Sequence, residues 1–133
     1  LSRYCRLEIV EVADEETPDG VSVLMAEQIK EKEARRVLEK IRDGAFVCTL
    51  EIGGKKFSSE GFSGWMEKLT VNGVSHITFV IGGSLGLHES VRERANAALS
   101  FSDMTFPHQL MRVILAEQVY RAFCIMNGTP YHK

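Results

Sequence analysis

His108 and Arg112 lie four residues apart in TFPHQLMRV, directly after a proline. Pro107 fixes its own φ and drives Phe106 extended, so one element ends here and a helix begins. Helical spacing then brings both side chains onto one face of the first turns. An imidazole titrates near neutral pH and can act as base or donor, while a guanidinium is a permanent cation. A base and a cation therefore open a helix directly after a strand, which is where open α/β sheets place ligands. A local alternative stands beside each residue: His108 satisfied at its own helix end, and Arg112 paired with a carboxylate across a subunit interface.

A second cluster is Gly82-Gly83-Ser84-Leu85-Gly86, three glycines within five residues after the apolar run HITFVI. Glycines there let the backbone approach a ligand closely. The spacing is not G-x-G-x-x-G, since Ser84 stands where the second glycine is required, so a dinucleotide fingerprint is not claimed. The alternative is a tight strand-to-helix turn. Gly53-Gly54-Lys55-Lys56 lacks the spacing and the Ser/Thr of a phosphate-binding loop and reads as a turn. Cys5, Cys48 and Cys124 are odd in number and widely spaced, with no C-x-x-C, which supports neither a disulfide framework nor a zinc site. A reducing cytoplasmic setting is expected.

The elements that must position these groups alternate. Arg6–Val12 reads as a strand and Ala13–Gly20 as an acidic loop. A helix from about Ser22 to Arg42 carries the stripe Ala34, Val37, Leu38, Ile41. Its charged middle reads as a solvated face; phosphate gripping by Lys30, Lys32, Arg35 and Arg36 is the sharper alternative. Ala45–Ile52 is a buried strand, and Ser58 or Ser59 caps a helix with Phe62, Trp65, Met66 and Leu69 inward. That aromatic stripe reads as core, and Asn72-Gly73 ends the helix. His76–Ile81 is the third strand, His88–Ala97 a short helix, and Leu99–Met104 the fourth strand. The last helix runs to about Met126, and from Leu110 to Ala116 its only polar side chain is Arg112. A helix so apolar needs cover on nearly every side, so a partner subunit is expected against it. Four strand–helix alternations with buried strands predict a parallel sheet with helices on both faces.

At 133 residues, 44% apolar and 26% charged, the composition is that of one globular domain. A net charge of −2 offers no broad basic footprint for nucleic acid. No apolar run approaches membrane-spanning length.

Taken together, FVIGGSLGL, LSFSDMTFPHQLMRVILAEQVYRA and the terminal PYHK resemble the bacterial ribosomal large-subunit methyltransferase H family. That family is of the SPOUT class and methylates N3 of a pseudouridine in 23S rRNA. The resemblance covers essentially the whole chain, including TLEIGGK and the Lys/Glu-rich first helix. It implies a single SPOUT domain over 1–133 with a C-terminal trefoil knot, preceded in family members by a further strand and helix. It also implies an obligate homodimer and S-adenosylmethionine bound in the knot. Position by position, the cofactor residues implied are Leu50, Gly82, Phe101, Ser102, Asp103, Met104, Thr105 and Phe106. Leu50 would otherwise read as core.

Methyl transfer from a sulfonium needs an in-line nucleophile, so positioning supplies most of the acceleration. The N3 proton must leave, and His108 as base with Arg112 as cation are the right types for that step. In the tail, Tyr131 offers a stacking ring, and His132 and Lys133 offer phosphate contacts. No metal is called for. Two alternatives stay open: a non-enzymatic dimeric α/β nucleotide-binding regulatory module, and a SPOUT methyltransferase acting on tRNA.

Overall fold

The computed structural model describes residues 5–12, 20, 22–82 and 86–131. Its strands are β1 (Arg6–Glu11), β2 (Phe46–Lys56), β3 (His76–Ile81) and β4 (Ala97–Ser100). Its helices are α1 (Val23–Lys40), α2 (Ser59–Val71), α3 (Glu89–Arg94) and α4 (His108–Met126). The strands form one sheet in the order β1-β3-β2-β4, with every pairing parallel. This is the parallel α/β architecture expected from the alternation of elements.

The order of the strands explains where the helices go. A right-handed crossover that moves one way along a sheet uses one face, and a crossover that moves back uses the other. The β1–β2 and β3–β4 connections run in one direction and the β2–β3 connection runs back. Accordingly α1 and α3 share a face and α2 and α4 share the opposite one. Strand alternation divides the apolar side chains between them. Cys48, Leu50, Ile77, Phe79, Ile81 and Leu99 join Phe62, Met66 and Leu115 under α2 and α4. Val10, Val47 and Val80 join Ala34, Val37, Ile41 and Val91 under α1 and α3. Ser63 Oγ donates to the Ala122 carbonyl at 2.9 Å and Ser59 Oγ to Gln118 Oε1 at 2.8 Å, fixing α2 against α4.

Local signals set the boundaries. Ser22 Oγ accepts from the Met25 N–H and Ser58 Oγ from the Gly61 N–H, each satisfying one of the free donors of a first helical turn. The charged face of α1 is largely solvated: Lys30 pairs with Glu27 at 3.2 Å and Arg35 with Glu31 at 2.9 Å. Cys5, Cys48 and Cys124 are free and buried.

Two expectations are corrected. Gly53-Gly54-Lys55-Lys56 is not a turn but the end of β2. Leu50 and Lys55 both lie opposite Leu99, so residues 51–54 form a bulge in a continuing strand. A Cβ on Gly54 would sit 2.7 Å from backbone atoms of Leu99, so only glycine lets the bulge seat on β4. The fourth strand is Ala97–Ser100 rather than Leu99–Met104, and α3 stops at Arg94. Its own chain leaves α4 partly uncovered, as so apolar a helix in a small domain implies: Leu110, Val113 and Tyr120 are exposed.

Candidate functional site

The helices that follow β1 and β3 lie on one face of the sheet, and those that follow β2 and β4 on the other. A crevice therefore opens at the carboxyl ends, between β3 and β2, as expected where chain direction switches. A cleft of about 1150 Å³ occupies it. Three segments and Arg92 of α3 wall it: Leu50–Gly53 from β2 and its bulge, Ile81, Gly82, Gly86 and Leu87 at and beyond the end of β3, and Ala98 through Met111 apart from Asp103 and Leu110.

Of the residues singled out in the sequence, Leu50, Gly82, Phe101, Ser102, Met104, Thr105, Phe106 and His108 all line this cleft. Leu50 is both core and wall, since it is only 8% exposed. Gly82 carries no side chain where a Cβ would come within 3.0–3.1 Å of Leu87, so the backbone itself forms the surface. The 101–106 loop braces itself: Ser100 Oγ donates to the Ser102 carbonyl at 3.0 Å, and Ser102 Oγ accepts from the Met104 N–H at 3.0 Å. Pro107 follows as the N-cap of α4 without a side-chain hydrogen bond, and places His108 as the first helical residue at the cleft. The positive end of the helix dipole is thus turned to the same region. Gly83, Ser84 and Leu85 lie outside the described residues, as does His132.

The other assignments part from this group. Asp103 does not line the cleft; its carboxylate pairs outward with Lys56. Arg112 is likewise off the wall, its Nε 3.5 Å from Glu11 Oε1 at the end of β1 in its own chain. Tyr131 folds back onto the far part of α4. Its hydroxyl donates to Glu117 Oε2 at 2.9 Å, Arg121 Nη2 meets the same oxygen at 2.6 Å, and the guanidinium lies 5.0 Å over the phenol ring. The hydrogen bond to that carboxylate raises the Tyr131 pKa above the ordinary phenol range. Residues 117 and 121 are nine and thirteen positions beyond His108, roughly 14–20 Å at 1.5 Å per residue. One chain therefore separates Tyr131 from His108.

Two groups escaped sequence reasoning. Glu51 lines the cleft from the bulge, with Thr49 Oγ1 donating to Oε2 at 2.8 Å and Arg92 Nε to Oε1 at 2.5 Å. They come from positions 51 and 92, and no local pattern joins them. The remaining histidines are structural: His76 is buried beside Glu8 at 3.3 Å, and His88 caps α3 through Nδ1. Among the described residues no His, Cys, Asp or Glu group could hold a metal ion. The arrangement offers no cysteine at the cleft; it offers apolar walls, bare backbone, one carboxylate, one guanidinium and one imidazole. That suits holding a largely apolar, heterocyclic ligand while a proton is moved beside it.

A family model described as predicted SPOUT methyltransferase matches residues 1–132. The chain belongs to the SPOUT methyltransferases. Among curated relatives, the ribosomal RNA large subunit methyltransferase H of Clostridium beijerinckii is 55% identical over 133 residues, all of this chain and 84% of that protein. Proteins of the same name from Clostridium botulinum (strain Kyoto) and Streptococcus sanguinis are 58% and 54% identical with the same coverage. No helix among the described residues is long and apolar enough to cross a membrane.

Proposed function

We propose that this chain is an S-adenosylmethionine-dependent methyltransferase acting on N3 of a pseudouridine in the 23S rRNA of the assembled ribosome, in the cytoplasm and as a homodimer. The observation that carries this reading is convergence: Leu50, Gly82 and five of the six residues Phe101–Phe106, widely separated in sequence, meet on one cleft beside His108. Relatives more than half identical over the whole chain carry the name of a large-subunit rRNA methyltransferase. We read the chain as a single domain whose C-terminal part carries the knot of the family it resembles.

The residues present fit the donor. Leu50, Leu99, Phe101 and Phe106 give an apolar slot for a purine, and the bare backbone at Gly82 leaves room where a side chain would intrude. Bound there, S-adenosylmethionine supplies a methyl group on a sulfonium leaving group. The chain's own work is to orient the acceptor, exclude water and manage the N3 proton. His108 receives that proton. Arg112, which is 61% exposed beside Glu11, turns to the acceptor's carbonyl oxygens and steadies the anionic ring. Tyr131 and His132 act with Lys133 on the rRNA strand by stacking and phosphate contact.

The dimer reading rests on two features. Leu110, Val113 and Tyr120 recur along one side of α4 and are exposed in the single chain. A second copy laid on that face removes them from water. The same arrangement answers the distance between Tyr131 and His108, because a partner's tail can reach a cleft that the chain's own tail does not. The net charge of −2 agrees with a composite surface that engages the assembled ribosome rather than naked RNA.

The test is transfer of radiolabelled methyl from S-adenosylmethionine to ribosomes from a strain lacking the modification, followed by nucleoside analysis. The reading expects label as a single N3-methylated pseudouridine in the large subunit, with little transfer to protein-free 23S rRNA. Donor binding without transfer to any RNA would instead leave a regulatory module, and transfer to tRNA a different substrate.

A further inference from the structure

We propose, resting on the donor reading above, that Glu51 is a ligand-positioning residue that receives the ribose diol of the methyl donor, with Thr49 and Arg92 positioning it. Among the described residues that line the cleft, Glu51 is the one carboxylate. It stands in the bulge immediately after Leu50, on a segment pinned to β4 by the close backbone approach at Gly54. Both of its oxygens are already oriented. Thr49, fully buried, donates to Oε2 at 2.8 Å, and Arg92 donates to Oε1 at 2.5 Å.

An ionised carboxylate offers about four acceptor sites on its two oxygens. One donor on each leaves one further lone pair on each. Two adjacent hydroxyls on a five-membered ring match that pair, as an acidic residue does at the ribose of dinucleotide sites. Hydroxyls donating to an ionised acceptor form the stronger class of hydrogen bond. Because the Glu51 rotamer is fixed from both sides before ligand arrives, little conformational freedom is lost on binding. A purely structural pair explains the geometry less well. Arg92 is 53% exposed, and such surface pairs contribute little stability. The buried Thr49 hydroxyl could be satisfied by the Ala97 carbonyl, 3.4 Å away, without turning Glu51 to the cleft.

The experiment is competition with radiolabelled S-adenosylmethionine by adenosine and by 2′,3′-dideoxyadenosine, on the unmodified protein and on Glu51→Gln. The unmodified protein is expected to prefer adenosine by about tenfold or more, the effect of losing hydrogen bonds to a charged acceptor. In Glu51→Gln the preference should shrink toward unity while the affinity for dideoxyadenosine changes little. A structural role alone would weaken both nucleosides together. Equal affinity of the unmodified protein for the two nucleosides overturns the proposal without reference to any variant, and so does an undiminished preference in Glu51→Gln. If the folded protein does not bind labelled S-adenosylmethionine, the donor reading itself fails, which is a distinct result.

Discussion

Replacing Gly54 with alanine tests whether the β2 bulge is seated as described. An alanine Cβ would lie 2.7 Å from Leu99 N, 2.7 Å from Leu99 C and 2.8 Å from Ala98 C. All three are backbone atoms of β4, so no side chain can move aside; the strand or the bulge must shift. Overpacking of this kind costs about 1–3 kcal/mol, and a backbone obstacle points to the upper end. Alanine restricts the unfolded chain and returns about 0.4–1 kcal/mol. The net loss is then about 2 kcal/mol, or about 6–10 °C in melting temperature for a domain of this size. Gly53→Ala is the matched control, since its Cβ meets nothing within 4 Å. Calorimetric melting of both variants is the assay. The shift should also weaken donor binding, because Glu51, Ile52 and Gly53 of the bulge line the cleft. A Gly54→Ala protein that melts within about 2 °C of the parent, or alongside Gly53→Ala, would refute the close approach and the register around it.

Further outcomes follow from the same geometry. His108→Ala should lower single-turnover methyl transfer by about 10²–10⁴-fold, the range for loss of a general base; full activity would leave His108 with a local role. Val113→Glu puts like charges at the proposed two-fold contact and should convert the proposed dimer to monomer by light scattering; an unchanged dimer would place the interface elsewhere. Burial, and then the charge of Glu51, push the Cys48 thiol up to about 12 from the ordinary 9.0 of a free thiol. The folded state holds that proton where the unfolded chain releases it, so this thiol's contribution is complete below pH 9 and is lost as pH rises toward 12. Melting temperature should accordingly fall less steeply above pH 9 in Cys48→Ala than in the parent; equal slopes would contradict the burial.

Much of the fold was legible because its signals are local. His76–Ile81 is apolar throughout and flanked by turn residues, and it is β3 with the same limits. Ser58 and Pro107 mark helix starts by chemistry that acts within one turn. What was not legible depends on neighbours distant in sequence. Two glycines and two lysines look like a turn, and they remain in a strand only because Lys55 and Lys56 find Leu99 and Ser100. Phe101 and its neighbours alternate like a strand, yet they leave the sheet after Ser100 and turn to wall the cleft. The site divides in the same way. His108 and Gly82 stand out by residue type and position, whereas the Glu51–Arg92 pair and the Arg112–Glu11 pair exist only once the sheet is assembled.

The central claim is that the cleft at the ends of β2, β3 and β4 holds the methyl donor. Titration calorimetry of S-adenosylmethionine against the parent protein and against Gly82→Val tests it most directly. The account predicts saturable binding to the parent and its loss in the variant, which fills the space beside Leu87 while still melting cooperatively. No binding by the folded parent, or undiminished binding by Gly82→Val, would contradict it.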